Sequence, residues 1–186
     1  NLFGADPAHR LPRTWELTVP VPMRKDPDRD RMARRAFTSV ILNSNRYIVP
    51  DQAAAHYITV DGPEECFFLQ ENSAFSTTLF NTYQAYDYAY EILDWDRAAV
   101  YRALKLQYQI IMHRSEKKRI VLKCPFHLWN LDAVMKVFPD AKIVQMHRDV
   151  TKSLPSNCSL SAMTTSKFAH RMDLPKLGRF WADYYR

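Results

Sequence analysis

Apolar residues recur at helical spacing in two long stretches of the chain, and this spacing predicts two amphipathic helices. In the stretch 25–43 the apolar face, which we expect to be buried, comprises Met32, Ala36, Phe37, Val40 and Ile41. The opposite face carries a basic cluster typical of a solvated surface, made of Arg31, Arg34 and Arg35. In the stretch 95–114 one apolar stripe comprises Val100, Leu104, Tyr108 and Ile111.

The last third of the chain alternates between strand-like and helical patterns. Short apolar runs at 119–124 and 141–147 are typical of buried strands, and the stretch 127–138 between them has helical spacing. The apolar face of that helix comprises Leu128, Leu131, Met135 and Phe138. This order predicts a βαβ unit whose two parallel strands are buried on both faces. A further helix begins at Asp149, and we expect Pro155 to bend or interrupt it.

The first half of the chain is less regular. Residues 1–10 indicate the end of a helix and a loop, and the proline-rich stretch 12–22 predicts an extended surface segment. The aromatic-rich stretch 63–93 predicts two or three short helices that line or cover an apolar region. Together the patterns predict one α/β domain over residues 1–186, with a central parallel sheet flanked by helices.

Composition adds an expected partner and an expected compartment. The formal net charge of +6 suggests an anionic partner, such as a nucleotide, nucleic acid or an acidic surface, and the alternative is scattered solvated charge. The 3 cysteines are odd in number and far apart, with neither metal-ligand spacing nor a disulfide framework, so we expect a cytoplasmic protein without a metal. No apolar run approaches the roughly 20 residues that cross a bilayer.

Basic side chains follow both predicted strands. Lys123 and His127 come at the end of the first strand, and Arg148 comes at the end of the second. Ligands of open α/β sheets gather at the carboxyl ends of the strands, so we expect these three side chains to converge on one rim. Ser156 lies about two turns along the helix after Arg148, where its hydroxyl can donate to a phosphate held by Arg148. The rim therefore predicts a site for a phosphate- or sulfate-bearing ligand.

Each of these residues also has an ordinary structural alternative. Lys123 can extend past the strand end to water, His127 can cap a helix or lie in the core, and Arg148 can pair with Asp149 or Asp140. The functional reading rests on the helix that follows Arg148, because a helix N-terminus attracts anions. An imidazole that titrates near neutral pH also suits a general base.

Three segments of the chain resemble one enzyme family. The segment 122–160, LKCPFHLWNLDAVMKVFPDAKIVQMHRDVTKSLPSNCSL, is similar to the matching part of sulfotransferases that use 3′-phosphoadenosine 5′-phosphosulfate (PAPS). It is most similar to the bacterial branch abundant in mycobacteria and other actinobacteria. NLFGADPAHRLPRTWELTVPVP and GPEECFFLQENSAF resemble the same branch in the same order. The resemblance covers nearly the whole chain and implies the P-loop-like α/β fold of that family.

The resemblance also implies roles for the candidate site residues. Arg148 and Ser156 match the family's pair at the 3′-phosphate of the nucleotide, and their separation is the family's spacing. Lys123 matches the lysine at the strand end, which serves both the bound nucleotide and the transferred group. Ser153 and Ser159 are left with helix-surface or packing roles. PAPS is then the sulfate donor, 3′,5′-diphosphoadenosine is the product, and no metal is implied.

Two residues are candidates for the base that deprotonates the acceptor. His127 falls in the zone where cytosolic members place a catalytic histidine, although Cys124, Pro125 and Phe126 separate it from Lys123. Glu16 lies about where other members have a catalytic glutamate, and its structural alternative is a loop salt bridge. The sequence leaves both open.

One departure from the family concerns the 5′-phosphosulfate loop. That loop is a strand followed by a basic turn with glycine and hydroxyl residues, and the chain, with 3 glycines, has no such segment. We expect the loop upstream of Asn1 and the last nucleotide-contacting region beyond Arg186, so that the chain is a fragment incomplete at both ends. The alternative is a natural remnant that does not bind the donor.

The expected reaction is transfer of a sulfuryl group from PAPS to a hydroxyl or amine. The aromatic helices favour a small hydrophobic acceptor such as a lipid, a phenol or another alcohol. One rival is a P-loop kinase, which needs a Gly-Lys-Ser/Thr loop upstream. The other is a non-catalytic anion- or nucleotide-binding module. Nucleic acid is disfavoured because the arginines are dispersed and no recognisable motif accompanies them.

Overall fold

The computed structural model describes residues 2–75, 80, 83–113, 115–116, 119–165 and 173–185. The first half contains α1 (Leu2–Ala5), β1 (His9–Arg10), α2 (Thr14–Thr18), α3 (Pro27–Ile48), α4 (Pro50–Ala55), α5 (Phe67–Glu71) and α6 (Tyr86–Glu91). A 3₁₀ turn (Ile92–Asp94) leads into α7 (Arg97–Met112), and β2 (Arg119–Ile120) follows. A 3₁₀ helix (Pro125–Asn130), α8 (Leu131–Val137), α9 (Val150–Thr165) and α10 (Leu174–Tyr184) complete the chain. No described helix has the length and apolar character of a membrane span.

A short parallel sheet joins β1, near the start of the sequence, to β2, which lies about two thirds of the way along it. His9 pairs with Arg119 and Arg10 with Ile120, and the backbone N–H of Val121 donates to the Arg10 carbonyl at 2.9 Å. Helices surround this sheet, so the predicted α/β class with a parallel sheet is confirmed.

The predicted second strand of the βαβ unit is wrong. Residues 141–149 form no regular element, and the apolar side chains of this segment face solvent, with Val144 67% and Met146 88% exposed. A strand is stabilised by hydrogen bonds to a neighbouring strand, and among the described residues β2 pairs with β1 instead. The hydrophobic pattern indicates an extended segment but does not show whether a neighbouring strand pairs with it.

The predicted helix at 25–43 forms as α3, but its buried face is not the apolar one. The side chains turned inward are Asp30, Arg34, Thr38 and Leu42, while Met32 is 70% exposed. The Arg34 guanidinium donates to the Val19 carbonyl at 2.7 Å, pairs with Asp30 at 3.2 Å and lies 4.5 Å above the Trp15 ring. These contacts compensate the buried charge of the Arg34 guanidinium. They therefore decide which face of α3 is buried, although the apolar residues lie on another face.

The proline-rich stretch 12–22 is not an extended surface segment, because it contains the short buried helix α2. The backbone N–H groups of Thr14 and Trp15 donate to the carbonyls of Gly62 and Val60, which holds the first turn against a loop. Burial of Trp15 and Leu17 then fixes the helix in the core.

The other predicted helices form, with smaller differences. The apolar stripe of α7 is buried as expected, and α5 and α6 are the short helices expected at 63–93. The helix at 127–138 begins as a 3₁₀ helix, which shifts its inner face to Phe126, Asn130, Ala133 and Val137. α9 runs through Pro155 without interruption.

One hydrophobic core holds these elements together. It unites residues of α2, α5, α7, the 3₁₀ helix and α10, among them Leu17, Leu69, Tyr101, Phe126 and Phe180. Leu154 and Cys158 of α9 pack against the same core. The segments that carry the candidate site residues are therefore all anchored to one packed interior.

Candidate functional site

Lys123 lies three residues after β2, with its side chain 70% exposed. Its ammonium group pairs with the Glu65 carboxylate, and its backbone carbonyl accepts a hydrogen bond from the Cys66 N–H at 3.0 Å. The backbone contact ties the segment after β2 to the residue before α5. The lysine charge is thus at the surface beside a carboxylate and is available to an anionic ligand.

His127 lies in the 3₁₀ helix and is half-buried. Its Nδ1 atom is 2.7 Å from the Tyr101 hydroxyl, and its Nε2 atom is 3.0 Å from the Cys66 sulfur. The ring is therefore held from both sides by residues of α7 and of the α5 N-terminus.

A cluster that the sequence patterns did not reveal surrounds this imidazole. Cys66, Cys124 and His127 each direct one donor atom at the others, and all three atoms lie within 4.8 Å of one another. Cys124 also donates to the Gln70 amide oxygen at 3.6 Å. Cys124 and His127 are three residues apart, a Cys-x-x-His spacing that is the one local signal of the cluster, whereas Cys66 comes from a distant part of the sequence.

The pKa values of the two thiols in this cluster are shifted in opposite directions. Burial opposes ionisation of Cys66, but hydrogen bonds with Cys124 and His127 and the charge of the imidazole hold its pKa well below the usual range. The hydrogen bond to Cys66, together with burial, raises the pKa of Cys124. One sulfur therefore has thiolate character beside a second that keeps its proton.

Glu16 is buried on α2, and each of its carboxylate oxygens has one partner at the start of that helix. Its Oε2 atom accepts from the Arg13 N–H at 3.0 Å, and its Oε1 atom pairs with the Arg10 guanidinium. Arg10 belongs to β1, which pairs with β2 shortly before Lys123. The sheet thus places Glu16 on a segment next to the one that carries Lys123.

Arg148 and Ser156 lie on a separate part of the site, where Arg148 is two residues before α9 and Ser156 is in the N-terminal half of that helix. Both are exposed. Asp149 caps the helix by accepting from the Thr151 N–H at 2.9 Å, and its carbonyl accepts from the Ser153 hydroxyl at 3.1 Å. Within the described residues no hydrogen bond or ion pair joins Arg148 to Lys123 or His127. Arg148 also lacks the pairing with Asp149 or Asp140 that was its structural alternative.

The structure therefore arranges the five site residues in two groups. Lys123 and His127 both contact Cys66, and Glu16 is linked to them through the sheet. Arg148 and Ser156 follow an irregular segment and not a strand, so the single rim between two strand ends is not formed. Arg148 lies two residues before the first residue of α9, and Ser156 lies within the first two turns of that helix.

Comparison with known proteins assigns the chain to a family. A family model described as the sulfotransferase family matches residues 1–186. The crystal structure of sulfotransferase STF1 from Mycobacterium tuberculosis H37Rv superposes with a TM-score of 0.75 at 27% sequence identity. The alignment covers 99% of this chain and 50% of that one, so this chain spans half the length of the STF1 chain. No curated protein matches. The chain belongs to the sulfotransferase family, as its sequence resemblance to the bacterial members predicts.

Proposed function

We propose that the protein is a PAPS-dependent sulfotransferase that transfers a sulfuryl group to a hydroxyl or amine of a small hydrophobic acceptor. The acceptor loses a proton and gains the sulfuryl group, and 3′,5′-diphosphoadenosine leaves. The family match over residues 1–186 carries the proposal. The three thiols, which form no disulfide, support a cytoplasmic location.

The N-terminal half of α9 is the proposed nucleotide site. Arg148, just before the helix, and Ser156, within it, are both exposed, and Asp149 and Thr151 already fix the first turn of this 16-residue helix. An arginine and a helix N-terminus together stabilise a phosphate dianion through charge-assisted hydrogen bonds. Arg148 and Ser156 therefore hold the 3′-phosphate in this proposal.

Lys123 is the proposed cation at the transferred group. Charge builds on the bridging oxygen as the bond from sulfur to the phosphate breaks, and an ammonium group at that oxygen stabilises the transition state. Lys123 is exposed beyond its ion pair with Glu65, so an anionic ligand can compete for its charge. The reaction needs positioning and electrostatics more than covalent chemistry from the protein.

Glu16 is the proposed base, and His127 is the second candidate. A carboxylate offers about four lone-pair sites, so Glu16 can accept from Arg10, from Arg13 and from an acceptor hydroxyl at once. An imidazole has only two nitrogens, and Tyr101 and Cys66 occupy both of those in His127. His127 becomes a base only if one of these contacts opens.

A surface groove supports a hydrophobic acceptor. It has a volume of about 460 Å³ and lies between the end of α2, the end of α5 and α7. Its walls are mainly apolar, with Val19, Val21 and Leu106, and its polar edge is formed by Asn72 and Gln107. The groove begins at Thr18, on the helix that carries Glu16, and its volume suits a small lipid, phenol or other alcohol.

The test is a transfer assay with the full-length protein, a panel of hydrophobic alcohols and phenols, and either PAPS or ATP as donor. We expect sulfated product and 3′,5′-diphosphoadenosine with PAPS alone. Phosphorylated product with ATP would identify the kinase alternative. Nucleotide binding without turnover of any acceptor would favour the non-catalytic module.

A further inference from the structure

The proposed transfer chemistry leaves the two buried thiols beside His127 without a function. Cys66 and Cys124 are 1% and 9% exposed, and their sulfurs lie within 4.8 Å of each other and of one ring nitrogen of His127. Two sulfurs and one imidazole nitrogen that converge in the interior form a set of soft donors. Such a set selects zinc or another soft metal ion over magnesium or calcium.

We propose that Cys66, Cys124 and His127 bind a zinc ion, which fastens the start of α5 to the segment after β2. The site goes beyond the proposed sulfotransfer and supplies no step of it. Three protein ligands leave a fourth position of the tetrahedron for water. Deprotonated sulfurs and a neutral imidazole are the ligand forms that the ion requires.

The distances fit an ion after a small adjustment. Bonds of about 2.3 Å to sulfur and about 2.0–2.1 Å to nitrogen place the two atoms roughly 3.5 Å apart at a tetrahedral angle. The Cys66 sulfur and the His127 Nε2 atom are 3.0 Å apart. The distance between these two atoms therefore has to increase by about 0.5 Å to admit the ion. The imidazole can make this movement, because it is half-buried while both cysteines are buried.

Neighbouring side chains already provide the support that a metal-bound histidine needs. The Tyr101 hydroxyl holds Nδ1 at 2.7 Å, which directs Nε2 at the two sulfurs. Metal-bound histidines are fixed by such a hydrogen bond on the other ring nitrogen. Gln70 contacts both Tyr101, at 3.4 Å, and the Cys124 sulfur, at 3.6 Å, so one amide orients two parts of the cluster.

A buried tyrosine adjoins the cluster on the side of Cys66. Tyr108 is buried, and its hydroxyl interacts with the Cys66 sulfur. A hydrogen bond from such a neighbour to a ligating sulfur helps to hold that ligand in place.

The experiment is a titration of the reduced, metal-free, full-length protein with Zn²⁺ and with Co²⁺. Calorimetry gives the stoichiometry, and the absorption of the cobalt complex reports sulfur ligands directly. We expect one ion per chain, a higher melting temperature with Zn²⁺, and loss of the ion in Cys66→Ser, Cys124→Ser and His127→Ala. Tyr101→Phe keeps all three ligands and should weaken binding about 10–100-fold.

Cys158→Ser is the matched control, because Cys158 is the third free thiol and lies on α9. It should bind zinc like the unmodified protein. Circular dichroism of each variant separates loss of a ligand from loss of the fold, and Tyr101→Phe keeps the test valid if a cysteine variant unfolds. The proposal is overturned if the reduced protein binds no ion saturably, or if Cys158→Ser loses as much affinity as Cys66→Ser. It also fails if Cys66 and Cys124 form a disulfide in reducing buffer instead of binding the ion.

Discussion

The Nε2 atom of His127 lies 3.0 Å from the sulfur of Cys66, on the opposite side of the ring from the Tyr101 hydroxyl. A histidine with both nitrogens engaged in the interior is a structural residue first. This relationship separates the two candidates for the catalytic base, because the Glu16 carboxylate keeps lone pairs free for a further donor.

Glu16→Gln should lower kcat by about 10²–10⁴-fold, the usual contribution of a general base, with little change in donor affinity. His127→Asn should lower the melting temperature more than kcat, because it breaks contacts to Tyr101 and Cys66. Both variants are compared by turnover at saturating PAPS. The reverse pattern would make His127 the base, and near-normal kcat in both would remove both residues from that role.

Arg148→Ala should weaken the binding of 3′,5′-diphosphoadenosine. A hydrogen bond to a charged group contributes roughly 1.5–3 kcal/mol, which corresponds to a loss of about 10–150-fold in affinity. Calorimetry on the full-length protein measures this loss. Arg102→Ala is the control, since Arg102 is an exposed arginine of α7 that pairs with Asp96. Equal affinities in the two variants would contradict the assignment of Arg148.

Ser156 and Ser159 offer a matched pair on one helix. Both are exposed on α9, but the Ser159 hydroxyl donates to the Pro155 carbonyl at 2.9 Å. Ser156→Ala should reduce affinity for 3′,5′-diphosphoadenosine by roughly 1 kcal/mol, about fivefold, through loss of one hydrogen bond. Ser159→Ala should leave the affinity unchanged. A larger effect at Ser159 would place the 3′-phosphate elsewhere on the helix.

The buried pair of Asp30 and Arg34 makes stability depend on acid pH. Burial opposes ionisation of Asp30, but hydrogen bonds from the Met23 and Arg24 N–H groups and from Arg34 lower its pKa below 3.8. Because the folded pKa is the lower one, the unfolded chain binds the proton more readily. The contribution of Asp30 is present above the unfolded value of 3.8 and is lost as the pH falls through the folded pKa.

Asp30→Asn should therefore cost roughly 3–5 kcal/mol of unfolding free energy at pH 7, since it leaves Arg34 buried without a counter-charge. Below pH 4 the difference between the variant and the unmodified protein should shrink. Denaturant unfolding at a series of pH values measures both effects. Asp28→Asn is the control, because Asp28 forms an exposed pair with Arg31. A difference that stays constant down to pH 3 would contradict the linkage.

The sequence predicts local elements well and their partners poorly. The stripe of α7 identifies both the helix and its inner face, because every apolar residue of that stripe packs in the core. In α3 the same rule selects the wrong face, since Arg34 finds Asp30, Val19 and Trp15 inside the protein. The segment 141–147 has a strand pattern but no strand, because pairing depends on a second segment that the pattern does not contain.

In the candidate site, too, the sequence reveals local relationships but not the contacts between distant segments. Family spacing links Arg148, just before α9, to Ser156, eight residues later in that helix. No such rule connects Cys66 with His127, which are 61 residues apart and meet only through tertiary packing. A cysteine before a short aromatic helix looks like ordinary core, and its donor set becomes visible only after folding.

The parallel pairing of His9 with Arg119 has a consequence for synthesis of the protein. The partners are 110 residues apart, so β1 emerges from the ribosome long before the strand that it joins. Contacts of such long range form late and slow the folding of a chain. β1 therefore waits for Arg119, whereas α2 can pack earlier, because Trp15 lies against Arg34 of α3 and its N–H donates to the Val60 carbonyl.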